Sequence, residues 1–464
     1  MYSLLHKFRL SYNRNLGGWG TSAVIILSLL SIPVWILIYK FFNAQSDVWD
    51  HLVHTVLSDY IYNTLVIIGG VGVLTFIIGV STAWLVTAFD FPGRNFFKWT
   101  LILPLAIPPY VAAYTYAGIF DFTSPVSVYG SEMLGIKNAF AGIMSMQNLV
   151  LILGFVMYPY VFLITRASFL QQSGNVLEAS RMLGKSSTAT FFKVALPMAR
   201  PAIAGGLILV VMELLNDYGA MKYFGISTFT VAICQVWFSF NDLNAAIRLA
   251  ICLMIFSLVL VLMERLLRGR MKFSGNFSGK TVDISRIKLT GGKAALAFTV
   301  CFLPLLLGFI VPALQLLVWA IKTSDKSLHQ NFSELIYNSF SLATAAALLS
   351  VVIAVVLVYA IRLKRNRLMN TLLRAVNVGY ALPGAVIAIG VMIPFIFINN
   401  TLVDSMGRDY NIQTGMFIGG VVSIVFACIV RFLALAVNPV EAGFDRVNNT
   451  IEEASKTLGS GSFH

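Results

Sequence analysis

Glu213 and Asp217 stand four residues apart at the end of a long apolar run, a spacing that shares one helix face. An ionisable group costs roughly 2.5 to 3.5 kcal/mol at the centre of a membrane span, so such groups turn to an interior or to water. The pair is therefore a candidate lining for a cation pathway, with a helix-packing or helix-end role as the plainer use. His51 and His54, at i and i+3, have the spacing of metal ligands, but no cysteine or tight carboxylate set accompanies them. A solvated surface pair is the expectation, and the sequence assigns no metal. Arg248 and Arg431 lie within apolar stretches and are expected to pair with acidic neighbours. Residues Gly275 to Thr281, GNFSGKT, nearly spell a phosphate loop, yet three residues separate the glycines where the motif has four and no apolar strand precedes them. No nucleotide cradle, no cofactor and no catalysis are expected of this chain.

A second kind of chemistry, recognition of a partner surface, is written in a polar island from Leu177 to Pro197, LEASRMLGKSSTATFFKVALP. GNVLEASRML can form about two and a half turns from Gly174, with Ser173 or Asn175 as cap. Val176, Ala179 and Leu183 fall on one face, while Glu178, Arg181 and Lys185 point elsewhere. Gly184 sits where a left-handed cap would turn the chain, and a second short helix, Thr188 to Val194, is predicted to end at Pro197. Near the C-terminus the same text begins again as EEASKTLGSGSFH, from Glu452 to His464.

The elements that position these groups are membrane helices. Of the 464 residues 58% are hydrophobic and 11% charged, with a mean hydropathy of +0.81, values far from those of soluble domains. A span needs about 20 mostly apolar residues. Ten are predicted, at 21–42, 61–89, 97–120, 147–169, 201–220, 244–266, 294–321, 335–361, 371–398 and 414–437. Lys and Arg, which stay cytoplasmic, concentrate in alternate segments: Lys7, Arg9 and Arg14; Arg94 and Lys98; Arg166 through Arg200; Arg265 to Lys293; and Arg362 to Arg374. This places the N-terminus inside. The net charge of +13 is accounted for by these loops and calls for no nucleic acid. Cys234, Cys252, Cys301 and Cys428 are scattered through apolar segments without paired spacing and read as small hydrophobes.

One offset of 275 residues relates several points without gaps: Tyr62 and Asn63 to Tyr337 and Asn338, Pro108 to Pro383, and Glu178, Ala179, Ser180, Leu183 and Gly184 to Glu453, Ala454, Ser455, Leu458 and Gly459. Six predicted spans fit within the offset, an even number, so the copies point the same way across the bilayer. The reading is an all-α polytopic membrane protein with tandem parallel six-helix units. The first occupies 1–266, a basic Gly- and Ser-rich linker 267–293, and a second unit of four spans 294–464. By the same offset a complete second unit would need roughly 75 to 80 further residues, and a C-terminal truncation is the expectation.

Glu178, Ala179, Gly184, Val194, Leu196 and Pro197 resemble the EAA loop of binding-protein-dependent ABC transporter permeases, here about 174–200, with Ser180 and Val194 as departures from the usual small residue and Ile. The stretch Asn216 to Ala250 resembles the fused two-half ferric-iron permeases, and the thiamine permeases share that plan. The resemblance implies an importer subunit in a bacterial inner membrane, served by a soluble substrate-binding protein. It also implies two copies of a separate cytoplasmic ATPase, docked at Glu178, Ala179, Ser180, Gly184, Leu196 and Pro197 and at Glu453, Ala454, Ser455 and Gly459. On a ferric reading Tyr110, Tyr114, Tyr116, Tyr158 and Tyr160 become candidate oxygen ligands, with interfacial packing as the simpler use. A proton-coupled secondary transporter with parallel six-helix repeats is the rival; Asp90, Gly93 and Arg94 match part of its loop signature. Pro108, Pro109 and Pro159 are read as bends near the pathway.

Overall fold

The computed structural model describes residues 17–43, 46–134, 142–172, 180, 182, 184, 186–269, 286–327, 332–363, 376, 379, 382–406 and 420–444. In chain order the elements are α1 (Gly17–Asn43), α2 (Asp47–Thr55), α3 (Leu57–Ala88), β1 (Phe89–Asp90), α4 (Arg94–Thr100), a 3-10 turn (Leu103–Ala106), α5 (Pro109–Ile119), α6 (Pro125–Leu134) and α7 (Met146–Gln171). There follow α8 (Ser187–Thr190), a π turn (Phe191–Ala195), α9 (Leu196–Asn216), α10 (Gly219–Tyr223), α11 (Phe229–Phe238) and α12 (Leu243–Gly269). The remainder is β2 (Ile287–Lys288), α13 (Gly292–Leu305), a second π turn (Leu306–Ile310), α14 (Val311–Ser327), α15 (Phe332–Leu363), α16 (Gly384–Met406) and α17 (Val421–Phe444).

Among the described residues nine helices are long and apolar enough to cross a bilayer, and a bent pair, Arg94–Ala106 with Pro109–Ile119, makes ten. Each predicted span thus has its helix or bent pair, and the protein is a polytopic all-helical membrane chain. Long helices follow because only a backbone hydrogen-bonded within itself survives in hydrocarbon. The break in the third span is an 88° bend. Pro108 there holds φ −56° and ψ 140°, and its ring disfavours helical backbone in the residue before it. Pro159, by contrast, lies inside α7 without ending it.

The chain forms two compact units. One comprises 46–249 and 255–329. Its core is α3 packed along α7, with α9 against both, and α13 and α14 joining through α3 and α5. Val71, Ala83, Leu153, Met157, Tyr158 and Phe162 fill the interior together with Cys301. α3 reaches α7 closely because Gly79 carries no side chain: a Cβ there would lie 2.7 Å from Val161 Cβ and 3.0 Å from the Phe162 nitrogen. Small residues that let backbones approach are the usual device of helix packing in lipid.

The other unit comprises 1–45, 250–254 and 330–464. Here α15 packs along α17, and α1 lies against α15 and α16, around Ala23, Ala354, Leu357, Leu433 and Val437. The units therefore cut across the sequence halves: α1 joins the later helices, and α13 and α14 join the earlier ones. The helix starts nevertheless keep the sequence offset. Pro109 and Met146 open α5 and α7; Gly384 and Val421, each 275 residues on, open α16 and α17. Hydrogen bonds before the proline recur at the same offset, Ile107 N to Pro104 O at 3.1 Å and Leu382 N to Gly379 O at 3.3 Å.

Candidate functional site

The polar island is held at its base. Gln172, the cap residue at the end of α7, is buried, and its Nε2 donates to the carbonyl of Ala195 at 3.1 Å. The entry and exit of the loop are thereby pinned together. Ser180 is buried, with its hydroxyl 3.1 Å from that of buried Thr190, so the position that departs from the usual small residue ties the island's first segment to its second. Met182 is 89% exposed. Gly184 has φ +75°, the left-handed turn expected of it, a conformation that costs a non-glycine residue roughly 1 to 2 kcal/mol. Ser186 then caps α8, accepting from the amide of Ala189. Glu178 and Ala179, and Glu453, Ala454, Ser455 and Gly459 of the second copy, lie outside the described residues, as does GNFSGKT.

The second short helix departs from expectation in one respect. It does not stop at Pro197. Ser187 to Asn216 runs as a continuous 30-residue helical segment, passing through the π turn in which the Leu196 amide donates to Phe191 O. Leu196 and Pro197 occupy the first turn beyond that π turn, where a missing N–H is tolerated. The exit of the loop is therefore continuous with a membrane helix.

An aromatic brace, unanticipated from the sequence, surrounds this base. Trp84 from the end of α3 meets Phe169 of α7 at 5.3 Å and Phe191 of the π turn at 5.2 Å between ring centroids. Neighbouring loops are tied by cationic donors to backbone: Arg166 Nη1 to Lys98 O at 3.0 Å and Arg94 Nε to Val86 O at 2.7 Å. Asp90 and Gly93 belong to the same local turn. β1 pairs in parallel with β2 at Phe89–Ile287 and Asp90–Lys288, and Gly93 has φ +82°. The residues that matched a secondary-transporter signature thus build the corner where the end of the linker docks.

Asp217 is not helical. α9 ends at Asn216, and Asp217 is its cap residue with φ −77° and ψ 110°, one turn beyond Glu213 at the end of the helix. Its Oδ1 accepts the Ala220 amide at 2.9 Å, capping α10. Its Oδ2 is buried without a partner among the described residues. Glu213 is half-buried. His51 and His54 are exposed on α2, and no group of three His, Cys, Asp or Glu suited to a metal occurs among the described residues. Arg248 stacks on Trp49 with its guanidinium carbon 5.5 Å from the ring centroid, and Arg431 lies 5.1 Å from the centroid of Phe432. Of the tyrosines, Tyr116 donates its hydroxyl to the carbonyl of Leu307 and Tyr158 is fully buried. Tyr110 and Tyr114 stay substantially exposed. The four cysteines are free thiols.

Comparison with known proteins adds a family match and three relatives. Residues 51–273 match the family described as binding-protein-dependent transport system inner membrane component. The Fe(3+)-transport system permease protein FbpB 2 of Haemophilus influenzae is 26% identical over 96% of this chain and 82% of its own length. The ferric transport system permease protein FbpB of Actinobacillus pleuropneumoniae is 24% identical over 94% of this chain and 64% of its own. The sulfate transport system permease protein CysW of Escherichia coli is 27% identical, over 45% of this chain and 71% of its own length.

Proposed function

We propose, from the match of residues 51–273 to the binding-protein-dependent transport inner membrane components, that this chain is the membrane subunit of an ATP-driven importer of ferric iron. Two copies of a separate cytoplasmic ATPase would grip the loops at Glu178 and Glu453, and a soluble binding protein would deliver the ion to the outer face. The chain would lie in the bacterial inner membrane with its N-terminus inside, as two repeats divided at residues 267–293.

The observation that carries the reading is the pinned loop. Gln172 fixes the loop's two ends, the brace locks them to α3 and α7, and the loop's exit continues without interruption into the helix ending at Asn216. A force applied at Ser180 to Gly184 is then delivered to a membrane helix and not absorbed in a slack connection. At the far end of that helix Asp217 has a buried Oδ2 without a partner among the described residues, and Glu213 and Asp217 are proposed as pathway residues moved by the loop. Motor-driven opening requires that the ATPase bind the two states of the permease unequally, since equal affinity shifts no population.

The iron assignment rests on coverage. The two relatives named for ferric transport align with nearly this whole chain, whereas the sulfate relative aligns with 45% of it. Thiamine uptake by the same fused plan is the competing substrate. The test is co-purification of the ATPase with Glu178→Arg combined with Glu453→Arg. Loss of association is expected, and undiminished association would show that these loops are not the docking sites. Stimulation of ATPase activity by ferric-loaded binding protein, and not by thiamine or sulfate with theirs, is expected for the substrate.

A further inference from the structure

Three phenols converge on one exposed patch of the unit containing α3 and α7. Tyr110 and Tyr114 are one turn apart on α5, and Tyr223 closes on them from α10. The ring centroids are 6.5 Å apart for Tyr110 and Tyr114, 6.2 Å for Tyr110 and Tyr223, and 5.6 Å for Tyr114 and Tyr223. Trp319 of α14 backs Tyr114 at 5.4 Å. Tyr110 and Tyr114 keep 46% and 42% of their surface exposed. Asp121, two residues beyond α5 and half-buried, stands in the loop expected outside. The Tyr223 phenol is pushed above its ordinary value, chiefly by burial and then by the phenols of Tyr114 and Tyr110 and the Asp121 carboxylate.

The chemistry of the patch is selective. Tyr223 meets Tyr110 and Tyr114 edge to face, at interplanar angles of 83° and 72°, while those two rings lie nearly parallel at 28°. Anionic oxygen is what the cluster can still offer, and hard, highly charged cations take oxygen ligands. The fold also distinguishes these tyrosines from others nearby, since the hydroxyl of Tyr116 is committed to the carbonyl of Leu307. We propose that Tyr110, Tyr114 and Tyr223, with Asp121 beside them, form a phenolate site that takes the ferric ion on its way to the pathway. Each ligating phenol releases its proton to water as the Fe–O bond forms, and iron stays ferric throughout. The site rests on the iron reading of the proposed function.

The test uses the full chain in lipid nanodiscs titrated with ferric nitrilotriacetate. Iron bound to phenolate gives a charge-transfer band in the visible, which is expected for the unaltered protein. Tyr114→Phe and Tyr223→Phe, which keep the packed rings, should each weaken the band, and the triple variant with Tyr110→Phe should lose it. Tyr116→Phe should leave it unchanged. Absence of the band from the unaltered protein, or its persistence in the triple variant, overturns the site. If ferric-loaded binding protein still stimulates the ATPase in that case, the importer reading stands without it. Failure of that stimulation in the unaltered protein removes the reading on which the site depends.

Discussion

Two aromatic braces, one in each compact unit, occupy equivalent places and hold different things. In the first, Trp84 of α3 meets Phe169 of α7 at 5.3 Å, and the third ring is Phe191 at the exit of the polar loop. In the second, Tyr359 and Phe444, each 275 residues further on, meet at 6.3 Å across α15 and α17, and the third ring is Trp19 of α1 at 5.0 Å from Tyr359. The same helix pair is thus fastened in one unit to the loop and in the other to the chain's first membrane helix. Arg362 adds to the second brace, donating to the carbonyl of Phe444 with its guanidinium 5.7 Å from that ring's centroid. The difference teaches that a repeated pair of helices can be fastened to unlike third partners, a loop in one unit and α1 in the other.

The largest expected effect comes from removing the first brace. Trp84→Ala empties a nearly buried indole site and should cost about 3 to 5 kcal/mol, measured by thermal unfolding in detergent, with ATP-driven uptake lost. Tyr359→Ala, at a half-buried ring, should cost less and spare ATPase docking at the first loop. Equal effects of the two on docking would break the comparison. Next is the helix crossing beneath the braces. The counterpart of Gly79 at the 275-residue offset is Ala354, which is fully buried, so the first pair approaches by glycine and the second by alanine. Gly79→Val forces a side chain against the α7 backbone and should cost roughly 1 to 3 kcal/mol. Ala354→Gly should cost only about 0.5 to 1 kcal/mol. Limited proteolysis and melting temperature report both. Gln172→Leu leaves the Ala195 carbonyl without its donor, worth about 1 to 3 kcal/mol locally. The sharper outcome is uncoupling: ATPase still bound, with hydrolysis no longer accelerated by the loaded binding protein. The smallest effect is at the helix break. Asp217→Ala loses the cap on α10, about 1 kcal/mol, whereas Asp217→Asn retains it. Reduced uptake in the Asn variant with unchanged melting temperature would assign the free carboxylate oxygen to the pathway.

Much of this architecture was legible in the sequence because hydrocarbon tolerates few solutions. Long apolar runs gave the spans, and the offset read from Pro108 and Pro383 foretold the recurring helix starts. Gly184 was legible as a turn because glycine adopts its backbone conformation without cost. Pro197 misled, since proline usually ends a helix, but a π turn just before it leaves its missing N–H harmless. At Asp217 the spacing of four read the neighbour, Glu213, but not the end of the helix, and Asn216, Asp217 and Gly219 together carried the turn signal that would have shown the break. The braces were hidden because Trp84, Phe169 and Phe191 lie far apart in runs where every aromatic looks alike. Applying the offset to Trp84 and Phe169 reaches Tyr359 and Phe444, and that pairing was the available signal. The linker's short pairing to Phe89 and Asp90 had no local signal, because two residues on a polar segment have no periodicity to read.

The central claim is tested most directly by reconstituting the chain with its ATPase and binding protein in proteoliposomes and following ferric iron uptake. Uptake that requires ATP and the binding protein, and persists when the proton gradient is collapsed, is the predicted result. Uptake driven by a proton gradient in the absence of ATP would contradict it.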